Sequence, residues 1–127
     1  MKESLRYLQN TKEILKTVPV EDNIYSDVKP VQEACGVAYL AVLKAIDAYL
    51  LKKGIDEKEL PQSVDGYREM LRRYAIVHDG KLLKSFEALY KELHIAGYYR
   101  GLLIDVDTVK AVLKTAKTFI EKIRPGV

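Results

Sequence analysis

The sequence predicts an all-α protein, an up-and-down bundle of four long helices plus one shorter helix. Three observations support this fold class. Apolar residues recur at steps of three and four in five successive segments, no segment alternates as a strand would, and the connections between segments are short. A chain of 127 residues fits one domain, and a domain of that size buries roughly two-thirds of its unfolded surface. Residues 1–127 are therefore expected to form a single helical-bundle domain.

The segment from Ala34 to Leu51 is nearly free of charge, since only Lys44 and Asp47 interrupt it. Its alanines recur at alternating steps of four and three: Ala34, Ala38, Ala41, Ala45 and Ala48. Methyl side chains let neighbouring backbones approach closely, and a helix that is apolar around most of its circumference belongs between other helices. We expect this segment to be the central helix of the bundle.

Proline and glycine set the bounds of the first two helices. The first spans residues 3–18 and stops at Pro19, because proline lacks the backbone donor that a helix interior needs. A loop over residues 21–27 leads to the second helix, residues 27–53, and Gly54 is placed to cap its C-terminus.

The remaining three helices follow a connector over residues 55–62. Ser63 caps the third helix, the fourth ends within residues 97–101, and Asp105 or Asp107 caps the fifth. Each helix carries an apolar stripe. The stripes are Val64, Tyr67, Leu71, Tyr74 and His78 in the third, Leu82, Phe86, Leu89, Leu93 and Ala96 in the fourth, and Val106, Val109, Leu113, Ala116, Ile120 and Ile123 in the fifth.

The charge balance gives no support for nucleic-acid binding. Twenty-one basic residues against 18 acidic ones leave a formal net charge of only +3. The first ten residues lack the apolar run and small-residue cleavage site of a secretory signal, so we expect a cytoplasmic protein. The longest uncharged run, residues 34–43, is shorter than the ~20 residues of a membrane span, so we expect no membrane contact.

Metal and cofactor sites are not expected. One Cys and two His, with no acidic cluster beside either His, do not make a zinc site. Cys35 lies in the central apolar helix, where a cysteine is usually a small buried residue rather than a nucleophile. The seven glycines form neither a dinucleotide fingerprint nor a phosphate-binding loop.

The most suggestive surface group is the turn that contains Tyr98, Tyr99 and Arg100. A tyrosine face can stack on a base while a guanidinium binds phosphate. Arg68, Arg72 and Arg73 would extend the same positive surface. The alternative is a helix end at which a tyrosine covers the core.

Two further surface patterns belong to the fifth and second helices. The fifth carries a basic stripe opposite its apolar one, which is typical of a solvated face. It consists of Lys110, Lys114 and Lys117. On the second helix, Leu40, Leu43 and Leu51 share the side that also holds Lys44 and Asp47. An exposed apolar strip there would mark a subunit interface, so we expect a homodimer.

Two stretches together resemble a known superfamily. Residues 34–45 read Ala-Cys-Gly-Val-Ala-Tyr-Leu-Ala-Val-Leu-Lys-Ala, and residues 90–101 read Tyr-Lys-Glu-Leu-His-Ile-Ala-Gly-Tyr-Tyr-Arg-Gly. The first resembles the second helix of the HEPN superfamily, the nucleotide-binding helical bundles of prokaryotes and higher eukaryotes. The second, with the helix after it, resembles the penultimate helix, the aromatic-basic turn and the last helix. The resemblance implies a HEPN-like bundle in a family of ribonucleases, nucleotidyltransferase-associated subunits and substrate-binding domains, many of them homodimers.

HEPN ribonucleases use an Arg separated from a following His by four to six residues. Here four residues separate Arg73 from His78, and five separate Arg72 from His78. The resemblance implies that His78 would take a proton from a 2′-hydroxyl while Arg72 or Arg73 stabilises phosphate charge. Tyr74 follows Arg73 where the family usually has a polar residue, and the pair precedes Gly80 rather than the last helix. His78 also falls on the apolar repeat, which favours a packed residue at a helix end.

The sequence therefore predicts a non-catalytic, HEPN-like binding or interaction module that forms a homodimer and recognises a nucleotide or a partner protein. Two alternatives stay open. One is a metal-independent ribonuclease that uses Arg72 or Arg73 with His78. The other is a purely structural bundle that contacts another protein and binds no small ligand.

Overall fold

The chain is mostly helical, as predicted. The computed structural model describes residues 2–74 and 80–123, which contain five α helices and a π helix that continues the fourth. The α helices are α1 (Lys2–Lys16), α2 (Val28–Lys52), α3 (Val64–Tyr74), α4 (Lys81–Leu89) and α5 (Val106–Ile123), and the π helix spans Tyr90–Tyr99. A short 3₁₀ helix, Glu57–Glu59, lies in the predicted connector.

Helix α2 is the central helix, as the alanine pattern predicted. It packs against α1, the π helix and α5. Four of its alanines are completely buried and so define the contact face: Ala34, Ala38, Ala41 and Ala45. Large buried side chains from the other elements close around this face, among them Phe86, Leu93 and Phe119.

Local caps fix the ends of the helices where the sequence placed them. Asp27 caps α2 by accepting a hydrogen bond from the Lys29 amide at 3.2 Å. Gly54 follows α2 with φ +96°, a left-handed conformation that favours glycine. Ser63 Oγ accepts from the Gly66 amide at 3.0 Å, and Asp105 Oδ2, rather than Asp107, accepts from the Thr108 amide at 3.1 Å.

The expectation that residues 21–27 form a plain loop and that no strand occurs was wrong. Two short strands, β1 (Val20–Glu21) and β2 (Ile24–Tyr25), pair antiparallel. The turn between them uses positive φ at Asp22 (52°) and Asn23 (65°), the geometry of a tight hairpin turn that Asp and Asn tolerate best after glycine. The Tyr25 amide also donates to the Ile104 carbonyl at 2.8 Å, which ties this hairpin to the segment before α5.

The fourth predicted helix also differs from the prediction, because its second half is a π helix rather than a continuation of α4. At its end the Arg100 amide donates to the Ile95 carbonyl, five residues earlier, at 2.9 Å. Gly97 lies so close to α2 that a Cβ there would approach Cys35 Sγ to 2.6 Å. The wider turn places this glycine against Cys35, which an apolar repeat at steps of three and four does not reveal.

Helix α2 is long and apolar enough to meet the length and composition criteria of a membrane-crossing helix, with a mean hydropathy of 1.6 over its most apolar window. Within the fold, 56% of that window is buried, and the core helix of a soluble protein meets the same criteria. The expectation of no membrane span rested on the short uncharged run and on Lys44 and Asp47 after it, whereas the whole 25-residue helix meets the criteria with both charges included.

Candidate functional site

The proposed ribonuclease residues lie on and after α3. Arg72 and Arg73 share one carboxylate, since each places a guanidinium nitrogen 3.5 Å from a Glu69 oxygen. Both arginines are more than half exposed. His78 lies outside the described residues, so the distance that would join it to either arginine is not defined here. The shared carboxylate offsets part of the positive charge that phosphate binding would use.

Arg68, the third arginine of the predicted positive surface, is engaged inside the fold. Its guanidinium contacts Glu87 at 2.6 Å and Asp65 at 2.7 Å, and it lies over the Tyr90 ring, 5.2 Å from the ring centre. Hydrogen bonds to Glu87 and Asp65 raise the pKa of Arg68 further above its ordinary value. Arg68 therefore links α3 to α4 and is not a free phosphate ligand.

The π helix carries a ladder of rings at four-residue spacing. His94 stacks on Tyr90 at 5.5 Å between ring centres and on Tyr98 at 5.7 Å, with interplanar angles of 24° and 14°. Tyr39 of α2 lies 5.0 Å from His94. A helix closed by bonds to the fifth residue has more residues per turn than an α helix, so residues four apart stand almost above one another. The sequence interpretation of His94 as a packing residue agrees with these contacts.

A shallow groove of about 350 Å³ opens beside this ladder, and aromatic residues of α2, α3 and the π helix form much of its lining. Tyr67 donates a hydrogen bond to Asp47 at 2.9 Å. Burial raises the pKa of Asp47 above its ordinary value, and the Tyr67 hydrogen bond partly offsets the effect. Among the described residues, no lysine or arginine lines this groove, so those residues offer no cationic side chain to pair with a phosphate group.

Tyr98 is not free to stack on a base with both faces. One face lies against His94, and the ring also packs on Gly36 of α2, where an added Cβ would meet Tyr98 Cδ1 at 2.8 Å. The Gln32 side-chain amide donates to the Tyr98 carbonyl at 3.0 Å and fixes the turn to α2. Tyr99 and Arg100 are exposed, and Tyr99 retains 72% of its surface. The turn is thus a tyrosine-capped helix end with exposed residues beyond it.

Several exposed apolar side chains come from segments that meet around this turn, which we call the apolar end. The Tyr25 amide donates a hydrogen bond to the Ile104 carbonyl, and Ile24 forms an isolated antiparallel β-bridge with Asp105. Gly101 packs against the Val28 side chain of α2. Of the nine large hydrophobic residues that are exposed in the described part of the chain, six belong to these segments. They are Ile24, Val28, Tyr98, Tyr99, Leu102 and Ile104.

The apolar strip that the sequence placed on α2 is less continuous than expected. Leu43 is half-buried against the core, whereas Leu40 and Leu51 remain exposed. Leu40 and Leu51 are eleven residues apart, or about 16 Å along the helix. The larger exposed apolar surface is therefore the apolar end, which the sequence did not assemble because its residues come from four separate segments.

A second groove lies between α1 and α5, and we call it the lysine groove. Its volume is about 610 Å³, and its apolar lining includes Leu15, Val18, Tyr25 and Leu113. Five lysines, two from α1 and three from α5, complete the lining together with Val20: Lys12, Lys16, Lys110, Lys114 and Lys117. The predicted solvated stripe of α5 is thus one side of a groove. The lysines of α1 went unnoticed because sequence does not show that the two helices face each other.

Cys35 is buried in the core, as predicted, and it is a free thiol. Burial raises its pKa to about 11, so the thiol is protonated at neutral pH and is a poor nucleophile. Among residues 2–74 and 80–123, no cluster of three or more His, Cys, Asp or Glu side chains is arranged to hold a metal ion.

A family model described as a domain of unknown function, DUF5618, matches residues 1–125. The chain belongs to this DUF5618 family. A solved structure of a protein of unknown function from Dyadobacter fermentans is similar over 95% of this chain and 90% of that chain, with 32% identity and a TM-score of 0.78. No curated protein matches the chain. These relatives establish the family and the fold of the chain without assigning a specific function.

Proposed function

We propose that the protein is a non-catalytic interaction module with a HEPN-like, up-and-down arrangement of helices, and that it pairs with a second copy through the apolar end. The observation that carries the proposal is the gathering of six exposed apolar side chains at one end of the fold. Contiguous apolar surface of this kind marks interaction sites on folded domains.

The chemistry of the apolar end favours a protein over a nucleotide. Tyr98 already packs on His94 and Gly36, which leaves Tyr99 as the free ring of the turn. The segments that form this end also carry carboxylates, among them Glu21, Asp22, Asp27, Asp105 and Asp107. These negative charges repel a phosphate group. Covering the apolar side chains with another protein surface lowers the free energy, because it removes them from water.

A second copy fits this surface because its charges are of both signs. Arg100, which follows the π helix, and Lys29 of α2 lie in segments that form the apolar end, as do Glu21 and Asp22 of the hairpin. A two-fold dimer places the same patch on both subunits, so a patch with both acids and bases around an apolar centre can complement itself.

Sedimentation velocity of the wild type and of Tyr99→Ser/Leu102→Ser tests the proposal. Both side chains are exposed, so the substitutions leave the core intact. We expect a wild-type dimer at micromolar concentration and at least about a hundredfold rise in the dimer Kd of the variant, because four apolar side chains leave the interface. The matched control is Leu40→Ser/Leu51→Ser, which should dimerise as the wild type does. A monomeric wild type, or a dimer that only the control disrupts, contradicts the proposal.

The ribonuclease alternative has its own assay. We expect purified wild-type protein to leave single-stranded RNA intact, since Glu69 contacts both Arg72 and Arg73. RNA cleavage that disappears in His78→Ala would overturn the non-catalytic proposal.

The purely structural alternative is tested by thermal shift with nucleotides, because a ligand that binds only the folded state raises the melting temperature. We expect no nucleotide-dependent rise.

A further inference from the structure

We propose that the lysine groove binds an acidic amphipathic helix of a partner protein. None of the six exposed residues of the apolar end lines the groove, although Val20 and Tyr25 of the hairpin do and so lie between the two surfaces. The inference therefore goes beyond self-association and adds a second, heterologous interaction to the module.

The apolar residues that line the groove favour contact with a stripe of apolar side chains on a partner. The volume of about 610 Å³ lies within the range of protein ligand sites. Val20 on its border keeps 52% of its surface exposed, which makes it a contact available without any change in the fold. Apolar side chains that cover Leu15, Leu113 and Val20 would remove this surface from water.

The charge of the groove calls for an acidic partner. Five lysines line it, and no carboxylate in residues 2–74 and 80–123 does. Among the residues that the structure describes, none of these five ammonium groups has an acidic partner within ion-pair distance, because all five ion pairs of that part of the chain involve arginine. Like charges held near one another repel, so an anionic partner gains attraction and also relieves this repulsion.

The distribution of the charge favours a helix over a small anionic lipid. Lys12 and Lys16 are one turn apart on α1, while Lys110 and Lys117 are about 10 Å apart along α5. A single carboxylate or phosphate head would engage only part of this set. An amphipathic helix places an apolar stripe in the groove and acids on both flanks, which matches apolar lining and lysines contributed by both helices.

The same features distinguish the partner from nucleic acid. Nucleic acid presents its charge along a phosphate backbone and has no apolar stripe to cover Leu15, Leu113 and Val20. The partner we expect carries leucine-like side chains at helical spacing with Asp or Glu beside them.

Fluorescence anisotropy with a labelled synthetic helix tests the inference. The probe is an 18-residue peptide with leucines at i, i+4, i+7 and i+11 and glutamates flanking them. We expect saturable binding that weakens with salt. Lys12→Glu/Lys114→Glu should raise the Kd about tenfold or more, since each reversal replaces an attraction with a repulsion. The matched control is Lys84→Glu/Lys91→Glu, whose lysines are exposed but do not line the groove, and it should bind as the wild type does.

Three results would overturn the inference. One is equal affinity for a peptide in which glutamine replaces every glutamate. Another is an equal loss of binding in the control variant, which would indicate a general charge effect. The third is displacement of the peptide by oleate or by single-stranded RNA at lower concentration, which would assign the groove to a lipid or a nucleic acid. Sedimentation of Lys12→Glu/Lys114→Glu separates this proposal from self-association, because the dimer should persist.

Discussion

Gly97 is the residue on which the contact between the π helix and α2 depends. A Cβ at this position would lie 2.6 Å from Cys35 Sγ, 2.8 Å from Cys35 Cβ and 3.1 Å from the Glu92 carbonyl oxygen. These neighbours belong to the buried core and to the backbone, so they cannot move aside as the end of a flexible side chain would. Gly97 does not have the positive φ that would itself require a glycine. A glycine is needed here because a side chain would leave no room between the π helix and α2.

We expect Gly97→Ala to lower the free energy of unfolding by about 1–3 kcal/mol, the usual cost of overpacking a core. Urea denaturation measures the change. The control is Gly36→Ala, where the closest neighbour is the half-exposed Tyr98 ring, which can shift. Gly36→Ala should cost less, because the ring moves and alanine is the better helix former. Equal losses in both variants would contradict the argument.

Asp47 gives the fold a pH dependence of defined sign. Burial raises its pKa above the ordinary 3.8, so the folded state holds the proton more tightly than the unfolded state does. The stability that protonated Asp47 contributes is therefore greatest below pH 3.8, and it is lost as the pH rises through the folded-state pKa.

We expect Asp47→Asn to raise the free energy of unfolding, relative to the wild type, more at neutral pH than at acid pH. Asparagine stays uncharged at both pH values and can still accept the Tyr67 hydrogen bond. The difference in unfolding free energy between Asp47→Asn and wild type should fall as the pH is lowered toward 3.8. Chemical denaturation at several pH values measures it. Asp22→Asn, at an exposed turn position, is the control and should show no such trend. A trend of opposite sign would contradict the burial argument.

At the scale of elements, the hairpin and the start of α5 stabilise each other. The Val106 amide donates to the Asn23 carbonyl at 2.9 Å, and Asn23 Nδ2 donates to Asp107 Oδ2 at 3.2 Å. Asp105 adds the cap of α5 through the Thr108 amide. Its pKa is lowered by hydrogen bonds from the Thr108 side chain and amide, so its contribution is present above the ordinary value of 3.8 and is lost as the pH falls.

We expect Asp105→Ala to lower the melting temperature at neutral pH, with a deficit that shrinks as the pH falls below 3.8. Circular dichroism melts at neutral and acid pH measure this. Asp105→Asn keeps a side-chain oxygen at the cap and should lose less. Asp107→Ala, the other cap that the sequence allowed, should leave the α5 cap in place. Because Asp107→Ala also removes the hydrogen bond from Asn23, the result that would contradict the cap assignment is an Asp105→Ala variant as stable as the wild type at neutral pH.

The elements also show what local sequence can and cannot reveal. The alanine repeat of α2 was sufficient to predict a buried central helix because methyl groups at helical spacing leave few other arrangements. The hairpin was missed, since two-residue strands are too short for an alternating pattern to appear. The π helix was missed because local apolar spacing does not distinguish it from an α helix, and it coincides with the close approach of Gly97 to Cys35, a tertiary contact between residues 62 positions apart.

At the scale of the whole molecule, two surfaces of different chemistry stand out. The apolar end gathers exposed hydrophobic residues from the hairpin, α2, the π helix and the segment before α5, and the lysine groove gathers cations from α1 and α5. Sequence placed Tyr98, Tyr99 and Arg100 in a surface group but did not show that Arg68 is bound by Glu87 and Asp65. Each surface depends on which helices face each other, and that information is not local.

The two surfaces allow separate partners, so we infer an interaction module in which self-association and partner binding are independent. The solved Dyadobacter fermentans protein shares the fold over 95% of this chain. The pairing of two copies through the apolar end is the central claim, because the direction in which the lysine grooves of a dimer face follows from it.

Hydrogen–deuterium exchange at high and low protein concentration tests this claim most directly, since amides at an interface exchange more slowly when it forms. We predict that residues 98–104 and 24–28 become protected in the concentrated sample, while residues 40–51 exchange equally in both samples. Concentration-dependent protection confined to residues 40–51, or none in residues 98–104, would contradict the account.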